Sequence, residues 1–499
     1  MSPVSPTRSS LLRQRAGQSS FAALVFAAAT ALLAGPLAAQ TIPGSVAPVA
    51  PSAPAAATAA KPAAPITVTP LAPATAAPAP AAAATTAPAT AAAPAPADGG
   101  LSGAAAPAAH PPAPKKRKKA VAPPPPRETA LSESSEPSFT PDTFYATAKA
   151  SERYSAIADA GGWPVVSAVS PGARGKAVAT LRKRLALEGD LPEAKVAGDA
   201  YDADLKAAIL SFQDRHGLRK TGSVTGPTLK AMNVPASARF RQLVSSAQRM
   251  AGYMFSFGDR YVVVNIPSAS VEAVQGGTVA RRYVAVVGDV EHPSPETVAK
   301  IQAVNLNPTW TVPTSIIKNE IIPKMQRDPG YLSRANIRIL TGSGKEVTAS
   351  SIDWRTDKAV NYTLRQDSGR GNALGDIRIA MPNKDAVYMH DTPSKGYFGR
   401  DYRFLSHGCV RVQGVYDLAA WLAEPVRGGW DKKAITVAIA TGERKDINLP
   451  AAVPVAWVYL TGYASRDGLA HFRPDVYGLD SVGPGDAADA RAPTPVASR

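Results

Sequence analysis

The sequence predicts a multidomain, exported chain: a small three-helix domain, then a mostly-β domain with a helical insertion, both carried on a disordered Ala/Pro spacer. Three observations carry this reading. Residues 41–126 are almost wholly Ala, Pro, Thr and Ser, which bury too little apolar surface to offset chain entropy. Between residues 171 and 235 apolar side chains recur at helical spacing, and from Arg260 the pattern turns to Val-rich and aromatic runs of strand length. The averages over 499 residues agree, with 47 Pro, 6% aromatic and 19% charged residues. A single cysteine, Cys409, excludes a disulfide scaffold, an iron–sulfur protein and a Cys-rich zinc site. The net charge of +16 favours a polyanionic neighbour, whether nucleic acid, membrane surface or an acidic wall polymer.

Residues 1–39 have the form of a secretory signal. Arg8, Arg13 and Arg15 precede an apolar run of 13 residues over 21–33, and Leu37-Ala38-Ala39 offers a small-residue exit. The run is short for a span of about 20 residues, so a cleaved signal is expected, with an uncleaved anchor as the rival. No later segment is long enough to span a membrane. The spacer is assigned to 40–138. Its basic run Lys115-Lys116-Arg117-Lys118-Lys119 resembles a nucleic-acid patch in isolation, but export makes it a solvated charge run that touches anionic lipid or wall polymer. No nucleic-acid partner is expected.

Residues 139–170 are expected to form a helical scaffold segment, with a helix over 144–157 and a Gly161-Gly162-Trp163-Pro164 break that docks Trp163 on a neighbour. In the small domain, 171–235, Val178, Leu181 and Leu185 share one helix face, and Leu205, Ala208, Ile209 and Phe212 share another. Gly217 suits a helix C-cap, and Thr225 with Pro227 starts a third helix ending near Met232. The mostly-β domain is assigned to 255–445, with strands at 261–266, 270–274, 279–287, 301–306, 377–380, 386–389 and 435–440. Gly276-Gly277 marks a tight hairpin, and helices are expected at 315–325 and 415–422. The insertion covers 313–365. A C-terminal extension, 446–481, with a strand at 455–459, packs on the β domain, and 482–499 is a disordered tail.

The chemistry concentrates around the thiol. Cys409 lies in Ser406-His407-Gly408-Cys409-Val410-Arg411, read as a loop entering a helix, and His390 closes a strand in Tyr388-Met389-His390-Asp391-Thr392-Pro393. A thiol is mostly protonated at neutral pH and needs a base or cationic neighbour to become a nucleophile. Imidazole is the usual partner. Gly408 allows close backbone approach, and successive amides through Gly408 and Cys409 can form an oxyanion pocket. On these residues alone, Cys409 is either half of such a pair or a small buried hydrophobe. No His/Asp/Glu cluster has ligand spacing, so neither a metal nor an organic cofactor is expected.

The string His390, 15 residues, then Ser406-His407-Gly408-Cys409-Val410-Arg411 resembles the signature of the YkuD-type L,D-transpeptidase catalytic domain. Asn307-Pro308-x-Trp310-x-Val312-Pro313, Ile322-Pro323-Lys324, Asp328-Pro329-x-Tyr331-Leu332, Arg365-Gln366, Asn372-Ala373-Leu374-Gly375 and Asp467-Gly468 resemble its long-chain branch, which has an inserted lid. The 171–235 pattern, with Phe212-Gln213-x-x-x-Gly217-Leu218, Gly222 and Thr228-Leu229, is similar to a peptidoglycan-binding module. The resemblance runs from about Tyr145 to Asp480. It implies Cys409 as nucleophile, His390 as base oriented by a backbone carbonyl, and His407 flanking the thiol. It also implies an oxyanion site at Gly408 and Cys409, with Ser406, Arg411, Tyr388 and Asp391 binding substrate. For Arg411 a structural salt bridge is the equal alternative. The implied reaction is a periplasmic, carbapenem-sensitive 3-3 cross-linking of peptidoglycan stems in wall synthesis, remodelling and cell shape, with wall-synthesis proteins as possible partners. Transfer to water or to a protein amine, and an inactive wall-binding adaptor, are the alternatives.

Overall fold

The structure, a computed structural model, describes residues 127–480; the signal, the low-complexity spacer with its basic run, and the tail lie outside those residues. All described residues fall in one compact unit. Helix α1 (Thr143–Asp159) is followed by α2 (Lys176–Glu188), α3 (Ala203–Arg215) and α4 (Gly226–Met232), with α5 (Ala236–Ala251) leading into the β domain. The expected small-domain faces meet in one core, where Val178, Leu181, Leu185, Leu205, Ile209 and Phe212 are fully buried. Helix α3 starts where the Asp202 carboxylate accepts the Leu205 amide at 2.8 Å, an N-cap contact. Trp163 donates to the Val234 carbonyl at 3.0 Å, with the Arg184 guanidinium over its ring. Helix α5 was not expected from the sequence; it packs with α1 against the last hairpin of the chain.

The β domain begins with β1 (Arg260–Asn265), β2 (Ser270–Gln275), β3 (Thr278–Gly288) and β4 (Thr297–Leu306). The insertion follows, with β5 (Trp310–Thr311), α6 (Thr314–Ile316), a π-helical turn (Ile317–Ile321), α7 (Ile322–Arg327), α8 (Tyr331–Arg334), β6 (Ile337–Leu340), β7 (Glu346–Val347) and β8 (Thr363–Gln366). Then come β9 (Ile377–Ala380), β10 (Met389–His390), β11 (Phe404–Ser406), β12 (Val410–Val412), α9 (Val415–Ala423), α10 (Lys432–Ala440), β13 (Lys445–Val458), β14 (Gly462–Ala464) and β15 (Ala470–Phe472). The order β3-β12-β10-β9-β4-β13-β1-β2 returns to β3 through the β2–β3 hairpin, and β11 pairs with the far end of β3. Closing the ladder removes exposed strand edges. Gly276 and Gly277 turn that hairpin with φ of 57° and 74°, the conformation a two-residue type I′ turn demands.

Several expectations change. Residues 435–440 belong to helix α10, because Asp431 caps it by accepting the Ala434 amide at 2.7 Å and only Ile435 on that stretch is buried. Of 386–389 only Met389 joins a strand; Ala386 has φ 54°, and the Asn383 side chain holds this turn through the backbone of Val387. The Ser406–Arg411 string is a strand–turn–strand, with helix α9 starting only after Gly414. The insertion is mixed rather than purely helical, since β5-β8-β6-β7 form a second sheet around a core of its own. Residues 127–138, placed in the spacer, form an ordered strap. Ala130 donates to the Gly217 carbonyl at 2.9 Å, and Ser138 donates from both its amide and hydroxyl to Glu272. Residues 446–458, placed in the C-terminal extension, form an inner strand between β4 and β1.

Candidate active site

Strands β10 and β12 run parallel with His390 opposite Arg411 and Met389 opposite Val410. Side chains alternate between faces along a strand, so Met389 and Val410, both fully buried, point into the main core. The other face collects Tyr388, His390, Cys409 and Arg411. The Tyr388 side chain reaches both Cys409 and Trp310, and its ring meets the His390 ring edge-on with centroids 5.7 Å apart. The thiol and the imidazole are thus diagonal neighbours on adjacent strands, within reach of side chains of their length.

Burial sets the charge state of the pair. His390 is 5% exposed, and burial, then the Arg411 guanidinium, pushes its pKa down to about 3, opposed by the backbone of Asp391 and Leu374. Its Nδ1 makes no hydrogen bond of good geometry. Burial pushes the Cys409 thiol up, while hydrogen bonding from Tyr388 and the charge of Arg411 oppose it. Both groups therefore rest neutral, and the proton moves only as the thiol attacks. Arg411 lies with its guanidinium 5.6 Å from the Tyr397 ring, and burial lowers its pKa while Tyr397, Cys409 and Glu320 oppose that.

The turn before the thiol is bound from behind. Ser406 is 2% exposed and its hydroxyl donates to the Cys409 carbonyl at 2.6 Å. Gly408 has φ 99°, a left-handed conformation that favours glycine, and its carbonyl accepts the Ser294 hydroxyl at 2.7 Å. The amides of Gly408 and Cys409 donate to no acceptor among the described residues. Asp391 is 1% exposed; its carboxylate accepts the Asp376 amide at 3.2 Å and pairs with Lys395. Ser406 and Asp391, expected to bind substrate, are buried and hydrogen-bonded within the protein, where they hold the turn and strand. Gly375 shows how tight this is, because a Cβ there would lie 2.5 Å from the Asp391 carboxylate. Asn372 and Gln366 secure that approach by accepting the Leu374 and Ala373 amides, each at 2.8 Å.

The insertion reaches the site through Glu320, which sequence reasoning missed. Glu320 pairs with His407 Nε2 at 3.0 Å and with Lys324 at 2.7 Å. A cavity of about 220 Å³ opens there, lined by His292, Ser315, Ile316, Asn319, Glu320 and His407. His292 lies 4.6 Å from His407, ring to ring. Ser294 and Tyr477 were missed as well; the Tyr477 hydroxyl donates to the Gly288 carbonyl at 2.6 Å and fastens the 288–294 loop behind the turn. No local signal marks these residues, since their partners come from distant segments. Among the described residues no group of three or more His, Cys, Asp or Glu side chains could hold a metal ion, and no helix is long and apolar enough to cross a membrane.

A closed β-ladder presenting an imidazole and a thiol on adjacent strands is an arrangement suited to acyl transfer through a cysteine. Residues 259–439 match the YkuD family, described as "L,D-transpeptidase catalytic domain", and residues 174–232 match the family described as "Putative peptidoglycan binding domain". A "Putative L,D-transpeptidase" of Haemophilus influenzae is 32% identical over 255 residues, covering 51% of this chain and 50% of that protein. Among solved structures, an L,D-transpeptidase from Xylanimonas cellulosilytica is 17% identical, covering 59% of this chain and 98% of that one with a TM-score of 0.20. One from Stackebrandtia nassauensis is 12% identical, covering 59% and 96% with a TM-score of 0.23. The chain carries an L,D-transpeptidase catalytic domain of the YkuD family preceded by a peptidoglycan-binding domain. It spans about half the length of the curated relative it matches.

Proposed function

We propose that this protein forms 3-3 cross-links between peptidoglycan stems through a thioester on Cys409. The observation that supports this best is the shared face of β10 and β12, which carries Tyr388, His390, Cys409 and Arg411 beside the unengaged Gly408 and Cys409 amides. In this reading the Cys409 sulfur attacks the carbonyl of the L-centre third residue of a donor tetrapeptide while His390 takes the thiol proton. The two free amides hold the oxyanion. The intermediate collapses, the C–N bond to the terminal D-Ala breaks, and His390 returns the proton to the leaving amine. The side-chain amine of an acceptor's diamino acid then attacks the thioester and gives a proton to His390; the C–S bond breaks as the new amide forms, and His390 returns that proton to the sulfur.

Tyr388 donates to the developing thiolate, and Arg411 offers a charge for a stem carboxylate. His407 and Glu320, on the lid side, meet the acceptor. The N-terminal signal supports work in the periplasm, with the binding module on the wall. The thiolate also opens a carbapenem ring and retains it as an ester of sulfur.

The test is incubation of the purified protein with disaccharide-tetrapeptide and mass analysis of the products. The expected product is a 3-3 dimer with release of D-Ala; release of D-Ala without any dimer would make the protein a carboxypeptidase. Cys409→Ser should fold normally and lose transfer by several orders of magnitude, because a hydroxyl is far less acidic than a thiol. Intact-mass spectrometry should show one carbapenem adduct on the wild type and none on Cys409→Ala. An adduct persisting on that variant would remove Cys409 from the mechanism.

A further inference from the structure

A roomy cavity lies away from the thiol. It occupies about 820 Å³ between the peptidoglycan-binding domain, helix α5 and the start of the β-ladder. One wall comes from His216–Leu218 and Lys230 of the small domain, the other from Pro267–Ser270, and the strap residues 129–132 run along it. Three of its lining side chains, Arg239, Arg403 and Arg473, are 6%, 5% and 8% exposed, and none has a carboxylate within ion-pair distance among the described residues.

Their guanidinium groups are held by neutral acceptors. Arg239 donates to the Gln242 side chain and the Ala231 carbonyl, and Arg473 to the Arg215 and Phe472 carbonyls. Arg403 donates to the Thr129 hydroxyl and the Arg400 carbonyl. The carboxylates nearby are occupied elsewhere. Asp401 accepts from Thr129, Glu272 pairs with Arg282, and Asp475 accepts the Tyr459 hydroxyl and the Leu479 amide. Burial lowers the pKa of Arg239 and of Arg403 to about 10, and lowers that of Arg473.

Buried cations without an ion-paired anion are costly, and Glu188, Asp401 and Asp214 act on Arg239, Arg403 and Arg473 only from beyond ion-pair distance. Here three line one roomy space whose other walls combine aliphatic Leu218, Ala231, Val234 and Ala238 with polar groups, among them the carboxylates of Glu272, Asp401, Asp475 and Asp480. We propose that this cleft is a second binding site, taking a short anionic peptide whose carboxylates answer Arg239, Arg403 and Arg473 while its small apolar side chains lie on the aliphatic wall. Such a ligand is an uncross-linked stem peptide of the same polymer, so the inference rests on the reading above and extends it. The volume suits several residues of peptide, within the usual range for ligand pockets. Exposed Lys230 stands at the rim of this wall and draws the anion in.

The strap gives the cleft a route to the thiol. Thr129 bonds Asp401 and Arg403, and Arg127 donates to the Phe398 carbonyl at 2.9 Å. That same loop carries Tyr397 against Arg411 and Lys395 against Asp391.

The experiment is calorimetric titration of full-length Cys409→Ala protein, which cannot turn over, with disaccharide-tetrapeptide, in wild-type and altered clefts. Two classes of site are expected. Lys230→Glu should weaken one of them at least tenfold, and Arg473→Gln should remove it. Lys230 is exposed, so its variant stays folded where the arginine variant fails. Inorganic phosphate at the same concentration should not displace the peptide. A single class of site, a second class unmoved by Lys230→Glu, or full displacement by phosphate would each overturn the proposal. Binding at the cleft in a protein that never cross-links would instead overturn the transpeptidase reading.

Discussion

Glu320 joins two parts of the molecule that the chain keeps far apart. Its carboxylate pairs with His407 beside the thiol turn and acts on the charge of Arg411. In the proposed reaction an acceptor arrives as a cation and attacks as a neutral amine, and a carboxylate at the entrance would serve both needs. Glu320→Gln should leave carbapenem adduct formation within a few-fold of wild type while lowering cross-linking tenfold or more. Equal losses in both assays would show that Glu320 only supports the fold of the site. Ser406 works differently, through the carbonyl of Cys409. Ser406→Ala removes one buried hydrogen bond, worth about 1–2 kcal/mol, and loosens the turn that aims the thiol. Acylation should slow more than the melting temperature falls; unchanged acylation kinetics would discount this positioning role.

The insertion is the element whose structure the sequence understated. With eleven fully or nearly buried side chains, among them Ile317, Ile321, Ile339 and Leu364, it has a core of its own. The two chain segments that carry it, Trp310–Thr311 and Thr363–Gln366, pair with each other. In the proposed reaction, a cover over the thiol would keep water from the thioester until an amine arrives. Replacing residues 314–361 with a short Gly-Ser link should raise the ratio of hydrolysis to transfer, read by counting tetrapeptide-to-tripeptide conversion against dimer. An unchanged ratio would mean that the insertion is not a lid.

At the scale of the whole molecule, the buried histidines make folding sensitive to acid. His216, His390 and His471 are each held neutral first by burial, His390 with a pKa pushed down to about 3 and the others well below the ordinary value. In the unfolded chain each takes a proton near pH 6.5. As pH falls below that, the unfolded state binds more protons than the folded one, so stability is intact above about 6.5 and declines below it, by about 1.4 kcal/mol per pH unit for each histidine. Denaturant titrations at pH 7.5 and 5.5 should therefore differ by about 4 kcal/mol. Equal midpoints would show that these rings are not neutral in the fold.

Local chemistry made much of this legible. The helical faces of the small domain, the Gly276-Gly277 hairpin and the Ile377–Ala380 strand lie close to where periodicity and turn residues put them, because each is set by neighbours in the chain. The Ser406–Arg411 string and His390 also stand out in the sequence alone, since a lone thiol and two histidines in one region are rare. Tertiary packing decided the rest. Residues 435–440 follow an apolar pattern that suits strand or helix, and the Asp431 cap settled it as helix. That Ser406 and Asp391 are buried and hydrogen-bonded inside the protein was settled only by the packing around them. The parallel register that sets Tyr388, His390, Cys409 and Arg411 on one face, the reach of Glu320 to His407, and the three arginines around the second cleft all depend on strands and loops far apart in sequence. Pairings of that range leave no periodicity in the chain, because no residue between the partners is required to follow any pattern for them to meet.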